Sequence, residues 1–200
     1  MICFRRGKNT DIFICVRLVS GGVGGAGERV TRNEGTDMAM KVLGVGDYAV
    51  SGSQRDVLAT YALGSCVGVA LIHPQRCLAG LAHVALPDSR INPQKGVQQP
   101  GYFADTALAA LLDDMLGCEP QRTFVAYSVY LVGGADLRLP NDVFKIGQAN
   151  ISRLEELLRE YGLRVTARDV GGTISRTVKL PVGAKTLHLS TPGLPARELQ

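Results

Sequence analysis

The sequence has no tryptophan, only three histidines among its 200 residues, and no Cys-x-x-C pair among its five cysteines. Each shortage narrows what the chain can be. The cysteines (Cys3, Cys15, Cys66, Cys77 and Cys118) are odd in number and scattered. A chain of this length builds a core without covalent staples, so a disulfide scaffold is excluded and a reducing compartment, the cytoplasm, is expected. Structural zinc usually takes its ligands in tight pairs. Cys66, His73, Cys77 and His83 offer two sulfurs and two nitrogens, but their alternating order and loose gaps do not fit, and no metal is expected. Aromatic residues are 6% of the chain, no Lys/Arg cluster interleaves with them, and the net charge is only +4, so a nucleic-acid surface has no support. No apolar run approaches the roughly 20 residues of a membrane span. The apolar patch at 12–16 is bracketed by Asp11 and Arg17 and is too short for a signal core. Neither VLGVGDY at 42–48 nor GGVGGAGE at 21–28 makes a G-x-G-x-x-G ahead of a helix, so no nucleotide cofactor is indicated.

What is present is ordinary globular material, 46% hydrophobic and 20% charged. Residues 1–37 differ from the rest: a glycine-rich run is followed by the polar stretch TRNEGTD, then by Met38 and Met40. They are expected to form a flexible tail, or translation starts at Met38 or Met40, with 38–200 a single domain. Apolar strand-like runs follow at 57–61, 67–72 and 78–86, the last two separated by the turn His73-Pro74-Gln75-Arg76. The run at 123–132 is long, rich in β-branched and aromatic residues, and ends in Gly133-Gly134; it predicts a central strand. Residues 163–170 alternate, and 177–182 with 185–190 predict a hairpin around Gly183. Helical periodicity appears at 104–116 and at 150–161, with Asn150 as the expected cap of the second helix. Each helix has one apolar stripe, suited to covering one side of a sheet. Strands outnumber helices and rarely alternate with them, so the class is α+β. The pairs Asp113-Asp114 and Glu155-Glu156 are expected as solvated charge on helix faces.

The stretch LATYALGSCVGVAL, residues 58–71, puts a thiol at Cys66 where valine would fill a strand equally well. A thiol becomes a good nucleophile only beside a base or a positive field. Of the histidines, His188 is expected on an edge strand and His73, before Pro74, in a solvated turn. His83 lies in the apolar run LAGLAHVALP, and an antiparallel hairpin through the 73–76 turn would bring it beside Cys66. Two readings stay open on the residues alone. Cys66 and His83 form a dyad, or they are a small buried hydrophobe and a core histidine with a satisfied hydrogen bond.

The segment from Thr60 through Gly64-Ser65-Cys66 to Val69, with Gly80-Leu-Ala-His83-Val-Ala-Leu-Pro87, resembles the hallmark motifs of the chemoreceptor glutamine deamidases, the CheD family. Further matches follow in order: Tyr102-Phe-Ala-Asp105, Gly133-Gly134-Ala135, Ile146-Gly147, and Asp169-Val-Gly-Gly172 with Arg176 and Lys179. The resemblance spans about 41–190. Departures are Tyr102, where a basic residue is common in the position before the aromatic, Val132 for the usual Phe, Ala149 for Arg, and His73 for Asp. The resemblance implies a β-sandwich-like core of mostly antiparallel strands flanked by two main helices, with a papain-like Cys-His site. It implies Cys66 as nucleophile, His83 as base and Thr60 as the residue orienting His83; taken alone, Thr60 is a strand residue on a solvent face. The implied activity is deamidation of glutamines on the cytoplasmic helices of methyl-accepting chemotaxis receptors through a cysteine thioester, without a cofactor. A CheC-type phosphatase is the further implied partner. The rival readings are a non-catalytic module binding that phosphatase, and another cysteine hydrolase or transglutaminase. Recognition of one receptor helix by a cleft needs no dimer, so a monomer is expected.

Overall fold

The computed structural model describes residues 17–19, 38–118, 127–136 and 145–200. The centre of the molecule is a hairpin whose strands are buried on both faces, as their near-continuous apolar sequences require. It consists of β5 (Val67–Ile72) and β6 (Ala79–Val84), buried at every position, with Gly68 opposite His83 and Val67 opposite Val84. Around this pair stand β1 (Arg17–Val19), β3 (Tyr48–Ser51), β7 (Ser128–Gly133) and β8 (Val165–Val170), giving a six-stranded sheet in the order β1-β3-β6-β5-β7-β8. A second sheet holds β2 (Ala39–Leu43), β4 (Asp56–Leu63), β9 (Arg176–Pro181), β10 (Leu187–Ser190) and β11 (Arg197–Leu199), in the order β11-β10-β9-β4-β2. Among the strands of the described residues, the β2–β4 and β7–β8 pairings are parallel and the other seven are antiparallel.

Three α-helices are described: α1 (Pro93–Gln98), α2 (Ala104–Gly117) and α3 (Ile146–Glu160). The apolar stripes of α2 and α3 face the six-stranded sheet, where Leu108, Leu111 and Met115 of α2 and Leu154 and Leu158 of α3 join Val69 and Leu71 in one buried cluster. On the opposite side of that sheet Leu81 and Val132 meet Leu43, Leu58, Leu63 and Leu180 of the second sheet. The result is three layers: helices, sheet, sheet. Each of these leucines contributes about 1.5–3 kcal/mol on burial, so two separate apolar layers hold the central sheet in place.

The α+β class and mostly antiparallel core expected from the sequence are present, with several local differences. The strand expected at 123–132 is observed as β7 from Ser128; residues 123–126 lie outside the described residues. The helix expected to start with Asn150 as its cap begins at Ile146, so Asn150 sits inside it and is fully buried. Asp114 is not solvated charge: it is buried on α2 and accepts a hydrogen bond from the Tyr48 hydroxyl at 3.0 Å. Of the tail expected over 1–37, only Arg17–Val19 falls among the described residues, where it pairs with β3.

Candidate active site

Side-chain alternation decides where the thiol and the imidazole point. On β5, Val67, Val69 and Leu71 face the helices while Ala70 and Ile72 face the second sheet; Cys66, one residue before the strand, packs on the second-sheet side. On β6, Ala82 and Val84 face the helices and Leu81 faces the second sheet, which puts His83 on that same side. Gly68, directly opposite His83, has no side chain, and Leu63 Cδ1 fills that space, 3.0 Å from where a Cβ would lie. Cys66 lies two residues before Gly68, at the end of β5 where the ladder with β6 begins, and so on the same side of the sheet as His83. Cys66 is half-buried, whereas His83 is 3% exposed.

The second sheet supplies the third residue. Thr60, at 0% exposure, faces inward from β4 rather than toward solvent. Its Oγ1 lies 2.7 Å from His83 Nδ1 and donates to the Leu43 carbonyl at 2.9 Å. A hydroxyl has one proton, and a carbonyl can only accept. With that proton committed to Leu43, Oγ1 must accept from Nδ1–H, and the neutral ring carries its free lone pair on Nε2. Nε2 is buried and meets no hydrogen-bond partner among the described residues. Just beyond Thr60, β4 bulges: its pairing with β9 shifts between Thr60 and Leu63, and Ala62 adopts φ +55°. A bulge re-aims the side chains beside it.

Burial sets the charge state. It pushes the Cys66 thiol up, partly offset by the residue's own backbone N–H. It pushes His83 down, opposed by the charge of Asp47 and the Leu43 carbonyl. Both shifts favour the uncharged forms, thiol and neutral imidazole.

The turn preceding Cys66 is held by its carbonyls. Gly64 O accepts from Ala135 N at 2.7 Å, Cys66 O from Gly134 N at 2.7 Å, and Ser65 O from Asn150 Nδ2 at 3.1 Å. Gly133 can be nothing but glycine: its φ is +109°, and a Cβ there would lie 2.4 Å from Cys66 O. Behind this turn the 171–175 loop is tied down by Arg176, which bonds Asp169 at 2.9 Å and the Ile174 carbonyl at 2.8 Å. Gly171 N in turn reaches Gly133 O at 2.8 Å. The Tyr102–Asp105 motif plays a similar supporting part after β6. Tyr102 O accepts from Ala85 N at 2.9 Å, and Asp105 accepts from the Ser89 hydroxyl at 2.6 Å.

The remaining candidates go elsewhere. His73 is buried rather than solvated, and its Nδ1 accepts from the backbone of Gln75 and Arg76, both at 3.0 Å, closing the β5–β6 turn. His188 is exposed on β10, between β9 and β11, and not on an edge strand. Among the described residues, no group of three or more His, Cys, Asp or Glu converges on a point that could hold a metal, so Cys66, His73, Cys77 and His83 do not share one. Asn150, which reads in the sequence as a helix cap, instead donates to Ser65 O and Ala85 O. The available signal was its position on the apolar stripe of α3, one turn before Leu154.

Comparison with known proteins adds a separate line of support. Residues 85–191 match the family described as CheD chemotactic sensory transduction. The chain is 42% identical to a probable chemoreceptor glutamine deamidase CheD of Syntrophotalea carbinolica, over 78% of this chain and 96% of that protein. It is 35% identical to the chemoreceptor glutamine deamidase CheD of Bacillus velezensis, over 78% of this chain and 93% of that one. A probable deamidase of the same name from Thermococcus kodakarensis is 36% identical over 76% of this chain and 92% of its own.

Proposed function

Since the chain belongs to the CheD family of chemoreceptor glutamine deamidases, we propose that it deamidates receptor glutamines through a thioester on Cys66, with His83 as base and Thr60 holding the imidazole. The chain is an amidohydrolase acting on protein glutamine in chemotaxis. The observation that carries the mechanism is the committed proton of Thr60. Because Oγ1 donates to Leu43 and accepts from Nδ1–H, His83 keeps an unpartnered lone pair on Nε2, on the same side of the sheet as the half-buried thiol.

Each step then has an owner. The Cys66 thiol passes its proton to His83 Nε2 as sulfur attacks the carboxamide carbon. The C–N bond breaks, His83 returns the proton to the departing ammonia, and a thioester remains. Water, deprotonated by His83, adds to the thioester; the C–S bond breaks, giving glutamate and the free thiol. The tetrahedral oxygen needs donors in both halves. In a trans peptide the N–H points opposite the C=O, so fixing the carbonyls of Gly64 and Ser65 turns the N–H groups of Ser65 and Cys66 the other way, as an oxyanion site requires. No backbone acceptor takes either N–H among the described residues. The substrate segments are receptor cytoplasmic helices and the location is the cytoplasm, in keeping with Cys66, Cys77 and Cys118 forming no disulfide among the described residues; no helix of the described residues is long and apolar enough to cross a membrane.

The test is incubation with a receptor cytoplasmic fragment, read by mass spectrometry for conversion of glutamine to glutamate. Cys66→Ala should abolish conversion while circular dichroism shows an intact fold. An acid-quenched single turnover should trap an enzyme–fragment adduct at Cys66. Conversion surviving in the alanine variant, or chain cleavage in place of deamidation, would overturn the assignment.

A further inference from the structure

Asn150 is the one fully buried carboxamide of the described structure, and it sits where α3 meets the catalytic turn. Its two amide protons go to two backbone carbonyls on different segments. Nδ2 donates to Ser65 O at 3.1 Å, just before the nucleophile, and to Ala85 O at 2.9 Å, two residues after His83. Its Oδ1 is buried and meets no partner among the described residues. An unpartnered buried acceptor is destabilising; leucine would avoid that penalty on this apolar stripe but would leave Ser65 O and Ala85 O without their donor. The side chain is therefore explained by its donors and not by packing.

Resting on the dyad reading above, we propose that Asn150 is a positioning residue that sets the Ser65–Cys66 peptide for catalysis. Holding Ser65 O fixes the plane of that peptide, and the plane fixes where the Cys66 N–H points. The same side chain ties this peptide to the strand end that carries His83, so one group registers the nucleophile and its oxyanion donor against the base. The helix is seated closely enough to serve as the reference frame. Gly147, one turn earlier on α3, approaches Gly134 so nearly that a Cβ there would lie 2.5 Å from Gly134 O. Gly134 N is the group that holds Cys66 O. Among the three clamps on the turn, Ala135 N and Gly134 N are backbone, so Asn150 is the clamp a substitution can remove.

An oxyanion donor acts on the transition state and not on the bound carboxamide. Asn150→Ala should lower kcat roughly tenfold to a hundredfold while KM stays within about threefold, since losing one oxyanion donor costs on the order of 10²–10³ and here it is misaimed, not removed. Asn150→Asp, which keeps the shape but loses the donors, should fall as far. Leu154→Ala on the same face of α3 controls for stability: it removes core contacts but touches neither carbonyl, and should keep kcat within about threefold of the parent. Should the alanine variant fail to fold, Asn150→Ser, able to serve one carbonyl, is held to the same kcat and KM criteria. The inference is overturned if Asn150→Ala or Asn150→Asp keeps kcat, if the loss lies in KM alone, or if Leu154→Ala loses kcat equally. Cys66→Ala, run alongside, separates this failure from failure of the dyad: an inactive Cys66→Ala beside a fully active Asn150→Ala sinks only the positioning role.

Discussion

In the proposed site Thr60 acts through a single hydroxyl proton, donated to the Leu43 carbonyl. Thr60→Val keeps the shape and removes that proton, leaving both the Leu43 carbonyl and His83 Nδ1 without their buried partner. The ring then loses its fixed tautomer, and kcat should fall, though by less than the roughly 10²–10⁴-fold loss expected of His83→Ala, which removes the base itself. Thr60→Ser should restore most of the rate; steady-state kinetics on the receptor fragment reads all three. The pH profile belongs to the same scale. Because burial lowers the affinity of His83 for a proton, the base stays neutral below the usual histidine value of about 6.5, and the acid limb of kcat/KM should lie under it. Because burial raises the Cys66 thiol, the alkaline limb should lie above the ordinary cysteine value of about 8.5. A profile centred on an acid limb above neutrality would contradict the resting neutral pair.

At the scale of elements, the site depends on how β7 ends. Gly133 adopts φ +109° against Cys66 O, so Gly133→Ala meets both backbone strain and a collision. Strain of this kind costs about 1–3 kcal/mol, and relief requires the catalytic turn to move. The variant should show a lowered Tm together with a lowered kcat, measured by thermal denaturation and by deamidation below the transition. A lowered Tm with an unchanged kcat would show that the turn does not need this contact. Gly64, Ser65 and Cys66 thus have a conformation imposed on them by β7 and α3, elements more than 60 positions later in the chain.

At the scale of the molecule, the site bridges two layers. Thr60 comes from the five-stranded sheet, while His83 belongs to the six-stranded one and Cys66 immediately precedes its strand β5. Leu58, two residues before Thr60, is buried between the sheets, whereas Leu111 is buried between α2 and the other face of the six-stranded sheet. Truncating either to alanine should cost about 2–5 kcal/mol. Leu58→Ala should also lower kcat, because the sheet carrying Thr60 settles differently against His83, whereas Leu111→Ala should leave kcat of the folded fraction near the parent value. Chemical denaturation paired with kinetics makes the comparison. Equal kcat in the two variants would mean that the seam between the sheets does not tune the site.

The sequence by itself determined the local pieces. The β5–β6 hairpin is legible because apolar runs flank a Pro-containing turn, and α2 because its stripe repeats with helical period; both are short-range patterns. The assignment of Cys66, His83 and Thr60 came from resemblance, since their spacing is carried in the linear chain, and it stands as a proposal. What only the tertiary structure decided is whatever depends on long-range burial and on hydrogen-bond partners. Asp114 reads as solvated charge until Tyr48 arrives from β3, and His73 reads as exposed until its turn folds back over it. Thr60 turns inward because the six-stranded sheet packs over its face of β4, and Asn150 becomes a clamp instead of a cap because α3 starts four residues early and lands on the Ser65 turn. Periodicity records which face of an element is apolar, but not which carbonyl from another segment will meet a polar atom on that face. That is settled only when the layers pack.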